Sequence, residues 1–230
     1  MNAPAIRFVD LGFAYADGTR ALSEISFTID EGACVAIVGR NGSGKSTLVR
    51  QLNGLLRPTE GSVEVRGRAV GRRHVAELAR EVGLAFQDPG RQIFSARVAD
   101  EVAFGPRNLG RRGADLETAV AGALAAVGLQ GLDDVHPYEL GLSRRKLLGI
   151  ASVLAMNTPI VVLDEPTTGQ DARGIETIRT LVRQLSDRGR TVVAISHDLR
   201  FVAETFPRVV ALENGRSIAD GSPEQVLVRA

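Results

Sequence analysis

The chain has 230 residues, a formal net charge of +1 and a hydrophobic fraction of 44%, a globular composition that excludes an intrinsically disordered protein. The balanced charge gives no electrostatic case for a nucleic-acid binder, and the single cysteine, Cys34, excludes a disulfide framework. The longest uncharged apolar stretch, 147–163, contains Pro159 and is shorter than the roughly 20 residues that cross a bilayer. We therefore predict a cytosolic chain without a membrane span.

The first 86 residues alternate between strand and helix patterns. Two β-prone segments flank a turn at 16–18, which predicts an antiparallel sheet with a hairpin. The continuous apolar run 34–38 predicts a strand that is buried on both faces. The predicted strands are 6–9, 25–29, 34–38, 62–66 and 83–86, and the predicted helices are about 46–56 and 74–81.

The middle of the chain is rich in Ala, Leu, Arg and Gly and has few strand signals, so we predict a helical subdomain over about 88–156. The predicted helices there are 115–127 and 140–156. The α/β pattern then resumes with strands 160–163 and 191–195, helix 172–187, and a hairpin of 209–212 with 216–220. We predict one α/β domain over 1–230 in which the helical subdomain is inserted.

The most specific motif is GRNGSGKS at 39–46, which is followed by Thr47 and lies between a predicted strand and a predicted helix. Glycines let backbone N–H groups converge on phosphate oxygens, the Lys45 ammonium reaches the β- and γ-phosphates, and the Ser46 hydroxyl can ligate Mg²⁺. The alternative is a glycine-rich turn that only joins strand to helix, but the match at every position favours phosphate binding. The predicted binding residues are Gly39, Asn41, Gly42, Ser43, Gly44, Lys45, Ser46 and Thr47.

Polar side chains follow three further predicted strands, and parallel strands would bring them to one crevice. Asp164 is suited to hold Mg²⁺ through water, and Glu165 to polarise an attacking water as general base. His197 could hydrogen-bond a γ-phosphate or that water, and Gln87 could sense the metal or the water. Each residue alone has an ordinary surface interpretation. Tyr15, at the first hairpin, could stack on an adenine or could simply be an exposed aromatic.

The order of these motifs resembles the nucleotide-binding domains of ABC transporters over nearly the whole chain. The shared features are Tyr15, GRNGSGKST, Gln87, a helical insertion, VVLDEPTTGQD and SHD. The resemblance implies an ABC-type P-loop ATPase fold, with ATP and Mg²⁺ as ligands and ATP hydrolysis as the activity. It also implies that Tyr15 stacks on adenine, Gln87 is the Q-loop glutamine, Asp171 is the D-loop aspartate and His197 is the switch histidine.

A narrower likeness lies in FQDPGRQIF at 86–94 and VADEVAFG at 98–105, which resemble the ATPases of energy-coupling-factor (ECF) importers. Such importers take up vitamins, cobalt or nickel with a membrane coupling protein and a substrate-binding membrane protein; the biotin-system ATPase is the favoured match. The resemblance implies a peripheral position at the cytoplasmic face of the membrane. Phe94 and Phe104 are candidate contacts to the membrane partner, although core packing is the preferred role for each.

The signature motif departs from the family pattern. The family has L-S-G-G-Q, whereas Gly141, Leu142, Ser143 and Arg144 follow Leu140 here. In the family this motif completes the ATP site of the opposite subunit. Ser143 could supply a displaced hydroxyl, and the helix dipole with neighbouring arginines could still favour an anion. The chain pairs either with itself or with a different ATPase. We favour self-pairing, because the phosphate loop and the polar residues that follow the strands are complete in this chain.

Two other functions remain open from the sequence. A soluble ABC ATPase of nucleic-acid repair or translation usually carries coiled coils or tandem domains, and neither pattern is present in this chain. A nucleotide-binding regulatory subunit with little turnover is compatible with the altered signature motif. The preferred prediction is a transport ATPase without nucleic-acid binding.

Overall fold

The computed structural model describes residues 4–227. In that part of the chain there are ten strands and eight α-helices. The strands are β1 (Ile6–Ala14), β2 (Arg20–Ile29), β3 (Cys34–Val38), β4 (Glu60–Val65), β5 (Arg68–Ala69), β6 (Val82–Ala85), β7 (Ile160–Asp164), β8 (Thr191–Ile195), β9 (Arg208–Glu213) and β10 (Arg216–Gly221). The helices are α1 (Lys45–Leu52), α2 (Val75–Leu78), α3 (Val98–Asn108), α4 (Gly113–Ala126), α5 (Leu142–Ala155), α6 (Ala172–Asp187), α7 (Leu199–Thr205) and α8 (Pro223–Val226).

The smaller sheet is antiparallel and has the strand order β2-β1-β4-β5, which confirms the predicted hairpin. Strand β1 runs to Ala14 rather than ending at the predicted Val9. The pairing register shifts between Phe8 and Leu11, and Asp10 takes a positive φ of 44°. Such an irregularity lets a strand continue past a polar residue that breaks the alternation.

The larger sheet has the order β10-β9-β3-β8-β7-β6, and only the β9–β10 pair is antiparallel. All five residues of β3 are buried, and they alternate between two cores. Cys34, Ala36 and Val38 pack on one face of the sheet, while Val35 and Ile37 pack on the other. This confirms the strand buried on both faces and explains its unbroken apolar run. The parallel strands deliver their carboxyl ends to one edge of the sheet.

Helices α3, α4 and α5 follow β6 in the chain and pack against one another. Their apolar side chains join the core on one face of the larger sheet. Helix α3 was not predicted individually because Gly105 and Pro106 interrupt its helical pattern, and both lie within it. Helix α1 ends at Leu52, short of the predicted Leu56, because Gly54 follows with a φ of 74°. In residues 4–227 the helices are too short or too polar to cross a bilayer.

Candidate active site

The loop between β3 and α1 uses glycine for conformation and for close approach. Gly39, Gly42 and Gly44 have φ values of 148°, 82° and 98°, a region that other residues rarely adopt. A Cβ at Gly39 would lie 2.2 Å from the carbonyl oxygen of Leu212, and one at Gly44 would lie 2.6 Å from that of Ala21. A Cβ at Gly42 would have no neighbour within 4 Å. The backbone of Gly42 therefore borders open space.

The start of α1 directs unpaired backbone donors at the same space. The first helical hydrogen bond runs from the Leu48 N–H to the Gly44 carbonyl at 2.8 Å, so the N–H groups before Leu48 have no helical partner. Gly44 is the N-cap and has no side chain to satisfy them. Unpaired N–H groups and the positive end of the helix dipole together favour an anion such as phosphate.

The Lys45 ammonium is bonded to the backbone of this loop. It donates to the carbonyl oxygens of Gly39 at 2.7 Å and Arg40 at 3.0 Å. Burial lowers the pKa of Lys45, and the nearby carboxylates of Glu165 and Asp164 oppose that shift. A mostly buried cation next to unpaired N–H groups strengthens the attraction for a phosphate.

Ser46 and Asp164 are two of the three residues that the sequence assigned to Mg²⁺, and Gln87 is the third. The Ser46 hydroxyl donates to Asp164 Oδ1 at 3.2 Å, joining the start of α1 to the end of β7. Burial raises the pKa of Asp164, and the Ser46 hydrogen bond is the main opposing influence. In the described residues no cluster of three or more His, Cys, Asp or Glu could hold a metal. One hydroxyl and one carboxylate fit Mg²⁺, which binds through few protein ligands together with phosphate oxygens and water.

Glu165 and His197 meet at the ends of β7 and β8. The Nδ1 atom of His197 lies 2.7 Å from Glu165 Oε2, and the Thr168 hydroxyl donates to the same oxygen at 3.5 Å. The Glu165 side chain is 7% exposed and the His197 side chain is 59% exposed. An ionised carboxylate can only accept, so Nδ1 carries the proton in this contact and Nε2 remains available for a further hydrogen bond. Glu165 also has a φ of 51°, a strained conformation for a residue with a side chain.

A cavity of about 540 Å³ gathers most of the predicted site. Tyr15, Gln87 and Glu165 lie in the lining, and the Tyr15 hydroxyl is 2.8 Å from Thr47 Oγ1. Asp164 and His197 reach this cavity through their contacts with Ser46 and Glu165. The remaining lining residues are Thr19, Arg20, Ala21 and the 41–47 loop. Sequence reasoning missed Thr19, Arg20 and Ala21, which no motif marks; the hairpin position of Tyr15 is the signal that could have found them.

The signature residues lie at the start of α5, and among the described residues none of 141–144 lines the cavity. Gly141 is the N-cap of α5, Leu142 is 53% exposed, and Arg144 is also exposed. The Ser143 hydroxyl donates to Gln170 Oε1 at 2.6 Å. Asp171, the predicted D-loop aspartate, caps α6 by accepting from the Gly174 N–H at 2.7 Å.

One preference from the sequence was wrong. Core packing was favoured for Phe94 and Phe104, but the two side chains are 63% and 45% exposed. Their rings pack edge to face with centroids 4.7 Å apart, and together they form an exposed aromatic pair after the strand that leads to Gln87. Sequence pattern alone could not tell that these apolar residues lie outside the core.

Comparison with known proteins agrees with this geometry. The family described as ABC transporter matches residues 22–168. The chain belongs to the ABC transporter family. It is therefore an ABC ATPase with the α/β P-loop fold, it binds ATP with Mg²⁺, and it hydrolyses ATP. It is the ATP-binding subunit of an ABC transporter.

Several relatives of this ABC ATPase have informative names. An energy-coupling factor transporter ATP-binding protein EcfA from Methanocaldococcus jannaschii is 39% identical, over 94% of this chain and 78% of that protein. An EcfA from Carboxydothermus hydrogenoformans is 41% identical, over 94% of this chain and 80% of that protein. The solved structure of cbiO1 from Clostridium perfringens, part of the ABC transporter complex cbiONQ, is 33% identical with a TM-score of 0.87, and the match covers all of this chain and 92% of that one.

Proposed function

We propose that this chain is the ATPase of an ECF-type importer that energises uptake of a micronutrient. The observation that carries the proposal is the identity of about 40% to proteins named EcfA, which extends over nearly the whole chain. The cbiO1 structure, part of a cbiONQ complex, supports the same class. The cargo would be a vitamin, with biotin favoured, or cobalt or nickel. The chain would lie peripherally at the cytoplasmic face of the membrane.

In the proposed site, Tyr15 stacks on the adenine and the 39–47 loop wraps the phosphates. The N–H groups at the start of α1 and the Lys45 ammonium neutralise phosphate charge. Lys45 would exchange its contacts with the Gly39 and Arg40 carbonyls for phosphate oxygens. Ser46, Asp164 and Gln87 would hold Mg²⁺ directly or through water, and the metal would offset charge on the β- and γ-phosphate oxygens.

Glu165 is the proposed general base. Its Oε2 atom accepts from His197 Nδ1, which orients the carboxylate and leaves the other oxygen to take a proton from water. His197 Nε2 would face the γ-phosphate side of the cavity as the switch histidine. Asp171 would contact the second ATPase subunit while it caps α6. The rate gain comes from positioning and charge stabilisation, because phosphoryl transfer needs little covalent help from the protein.

The proposed partners are a second copy of this chain, a membrane coupling protein and a substrate-binding membrane protein. The signature residues Gly141, Leu142 and Arg144, which are exposed, and Ser143, which is half-buried, would complete the ATP site of the second copy. Phe94 and Phe104 form an exposed apolar pair on the insertion after Gln87, and we propose that they contact the membrane partner. A different ATPase as the second subunit is the alternative to self-pairing.

A regulatory subunit with little turnover is the second candidate, and the altered signature is the observation that favours it. A soluble ABC ATPase without a membrane partner is the third. Co-purification of the full chain from detergent-solubilised membranes, followed by identification of its partners, separates transport from the soluble role. Recovery of a substrate-binding membrane protein is expected; recovery of the chain only from the soluble fraction would contradict transport.

Turnover is tested with Glu165→Gln. The amide keeps the shape of the side chain but cannot accept a proton, so we expect ATP binding to persist while hydrolysis falls at least about 100-fold. The measurements are ATP affinity and phosphate release by the purified complex. Glu117→Gln makes the same change at an exposed residue of α4 and should leave both unchanged. Hydrolysis by Glu165→Gln at the normal rate would remove Glu165 as the base.

A further inference from the structure

The chain has only two lysines, and both lie beside the same pair of acids. Lys45 approaches Asp164 and Glu165 from α1, and Lys146 approaches them from α5. Both are buried, at 7% and 9% exposure. Lys45 has a proposed role on phosphate, whereas nothing in the sequence motifs assigns one to Lys146. A buried ammonium is costly unless nearby groups compensate it, so its placement calls for an explanation.

Lys146 contacts the backbone of the proposed general base. Its Nζ atom donates to the carbonyl oxygen of Glu165 at 3.5 Å. Burial lowers the pKa of Lys146, and the carboxylates of Glu165, Asp164 and Asp88 oppose that shift. Glu165 is the residue whose backbone is strained, with a φ of 51°. Strained residues persist only where surrounding contacts fix them, and Lys146 supplies one such contact.

A second contact lies three residues earlier on α5. The Ser143 hydroxyl donates to Gln170 Oε1 at 2.6 Å, and Gln170 Nε2 donates to the Ser143 carbonyl oxygen at 3.1 Å. A carbonyl can only accept, so the amide orientation of Gln170 is fixed and both bonds are made together. A Cβ at Gly174 would lie 2.1 Å from Gln170 Oε1, so the glycine makes room for this amide.

The two contacts share one face of the helix. Ser143 and Lys146 are three residues apart, which places them on the same side of α5. Their partners lie in the segment 165–171 that joins β7 to α6: Glu165 is its first residue and Gln170 its last but one. The first two turns of α5 therefore hold this segment near both ends, and the carboxylate of Glu165 extends from its beginning.

We propose that Lys146 and Gln170 are positioning residues for ATP hydrolysis: they hold the segment from Glu165 to Gln170 on the first two turns of α5 and so fix the Glu165 carboxylate. The inference rests on the proposed role of Glu165 as base. It also assigns Ser143 a role within its own chain: its one hydroxyl proton is used by Gln170, so Ser143 can donate to a phosphate only after that bond breaks.

The test compares Lys146→Met and Gln170→Leu with the parent full-length complex in single-turnover hydrolysis. We expect each to lower the rate constant about tenfold while ATP affinity changes less than twofold, because a displaced base slows chemistry without weakening binding. Lys146→Arg keeps the charge and should recover most of the rate. Gln184→Leu removes an exposed amide near the other end of α6 and should leave the rate unchanged.

The outcomes separate a positioning role from a structural one. If Lys146→Met or Gln170→Leu lowers the melting temperature but keeps the parent rate constant, the inference is overturned. Should Lys146→Met not fold, Gln170→Leu removes the other contact to the same segment and should still lower the rate about tenfold. Arrest by Glu165→Gln alongside full activity of both variants contradicts only this inference, whereas activity of Glu165→Gln contradicts the proposed base.

Discussion

Two regions of the molecule carry the family's ATP motifs, and their polar groups are used differently. Where β3 and β7 end, backbone N–H groups, Lys45 and Glu165 border a cavity of about 540 Å³. At the start of α5, the Ser143 hydroxyl and the Lys146 ammonium contact the chain's own segment 165–170. The first region can receive a ligand from outside, while the second is bonded inward.

The phosphate loop keeps the whole family motif and borders open space. The signature motif at 141–144 departs from the family pattern, and its Ser143 hydroxyl bonds to the chain itself. The loop at 39–46 matches its pattern at every position, and its glycines stand where a Cβ would collide or where φ is positive. The start of α5 has lost the usual serine and glycine. Leu142 is exposed there, and Ser143 turns to Gln170. In the proposed dimer, the chain would thus offer a full site for its own nucleotide and a modified surface for the nucleotide of the second subunit.

The largest expected effect is on ATP affinity, in the region that borders the cavity. Lys45→Ala should abolish ATP binding, with a loss of affinity of at least about 100-fold, because the buried ammonium lies in the cavity lining where the phosphates are proposed to bind. The measurement is ATP titration by calorimetry. Arg40→Ala removes a neighbouring exposed cation of the same loop and should change affinity less than about threefold. An equal loss in both variants would mean that general charge, and not Lys45, binds the nucleotide.

Tyr15 is the aromatic residue in the lining of the cavity. Tyr15→Ala should weaken ATP binding about tenfold, because stacking of a base on an aromatic ring contributes about 1–3 kcal/mol. Tyr15→Phe keeps the ring and loses only the hydrogen bond to Thr47, so its affinity should stay within about threefold. Equal affinities in all three proteins, measured by fluorescence titration, would leave Tyr15 as an ordinary exposed aromatic.

Restoring S-G-G-Q at residues 141–144 tests the inward-bonded region. We expect the ATP concentration at half-maximal rate to fall about fivefold, since glycine allows close approach to a phosphate and serine supplies a donor. The maximal rate should fall at the same time, because the change removes the Ser143 hydroxyl that bonds Gln170. Both are measured as ATPase activity of the full complex. If neither quantity changes, the altered motif is neutral for turnover.

The smallest expected effect is on the free energy of unfolding, through Asp164, the proposed Mg²⁺ ligand. Burial raises the pKa of Asp164 above its ordinary 3.8, so the fold prefers the neutral acid and the ionised form subtracts stability above that raised pKa. Asp164→Asn should raise stability at pH 7 by about 1 kcal/mol, or a few degrees in melting temperature, in the presence of a chelator. The gain should vanish as the pH falls through the raised pKa towards 3.8.

The control for this measurement is Glu117→Gln, which neutralises an exposed carboxylate and should change stability by less than about 0.5 kcal/mol. A stability gain for Asp164→Asn that persists unchanged below pH 3.8 would have another cause than charge burial. A loss of stability at pH 7 would show that the Ser46 hydrogen bond and the Lys45 charge outweigh burial of the carboxylate.

The strands and long amphipathic helices could be predicted because their patterns are local. The predicted bounds of β3, β8 and α6 coincide with the observed ones. Two of the short helices could not be predicted correctly. Helix α7 has seven residues and is set by Asp198, which accepts from the Phe201 N–H, while α2 retains only four residues of the predicted 74–81. Short helices depend on caps and packing more than on periodicity.

By itself, the sequence determined the α/β P-loop fold class and the residues of the phosphate loop, because these depend on spacing along the chain and on the period of apolar residues. Only the tertiary structure decided how distant residues meet. It brought His197 to Glu165, exposed Phe94 and Phe104, and turned Ser143 and Lys146 towards the segment 165–170. Those contacts join residues on different elements, and their distances are fixed by how helices and strands pack rather than by any local pattern.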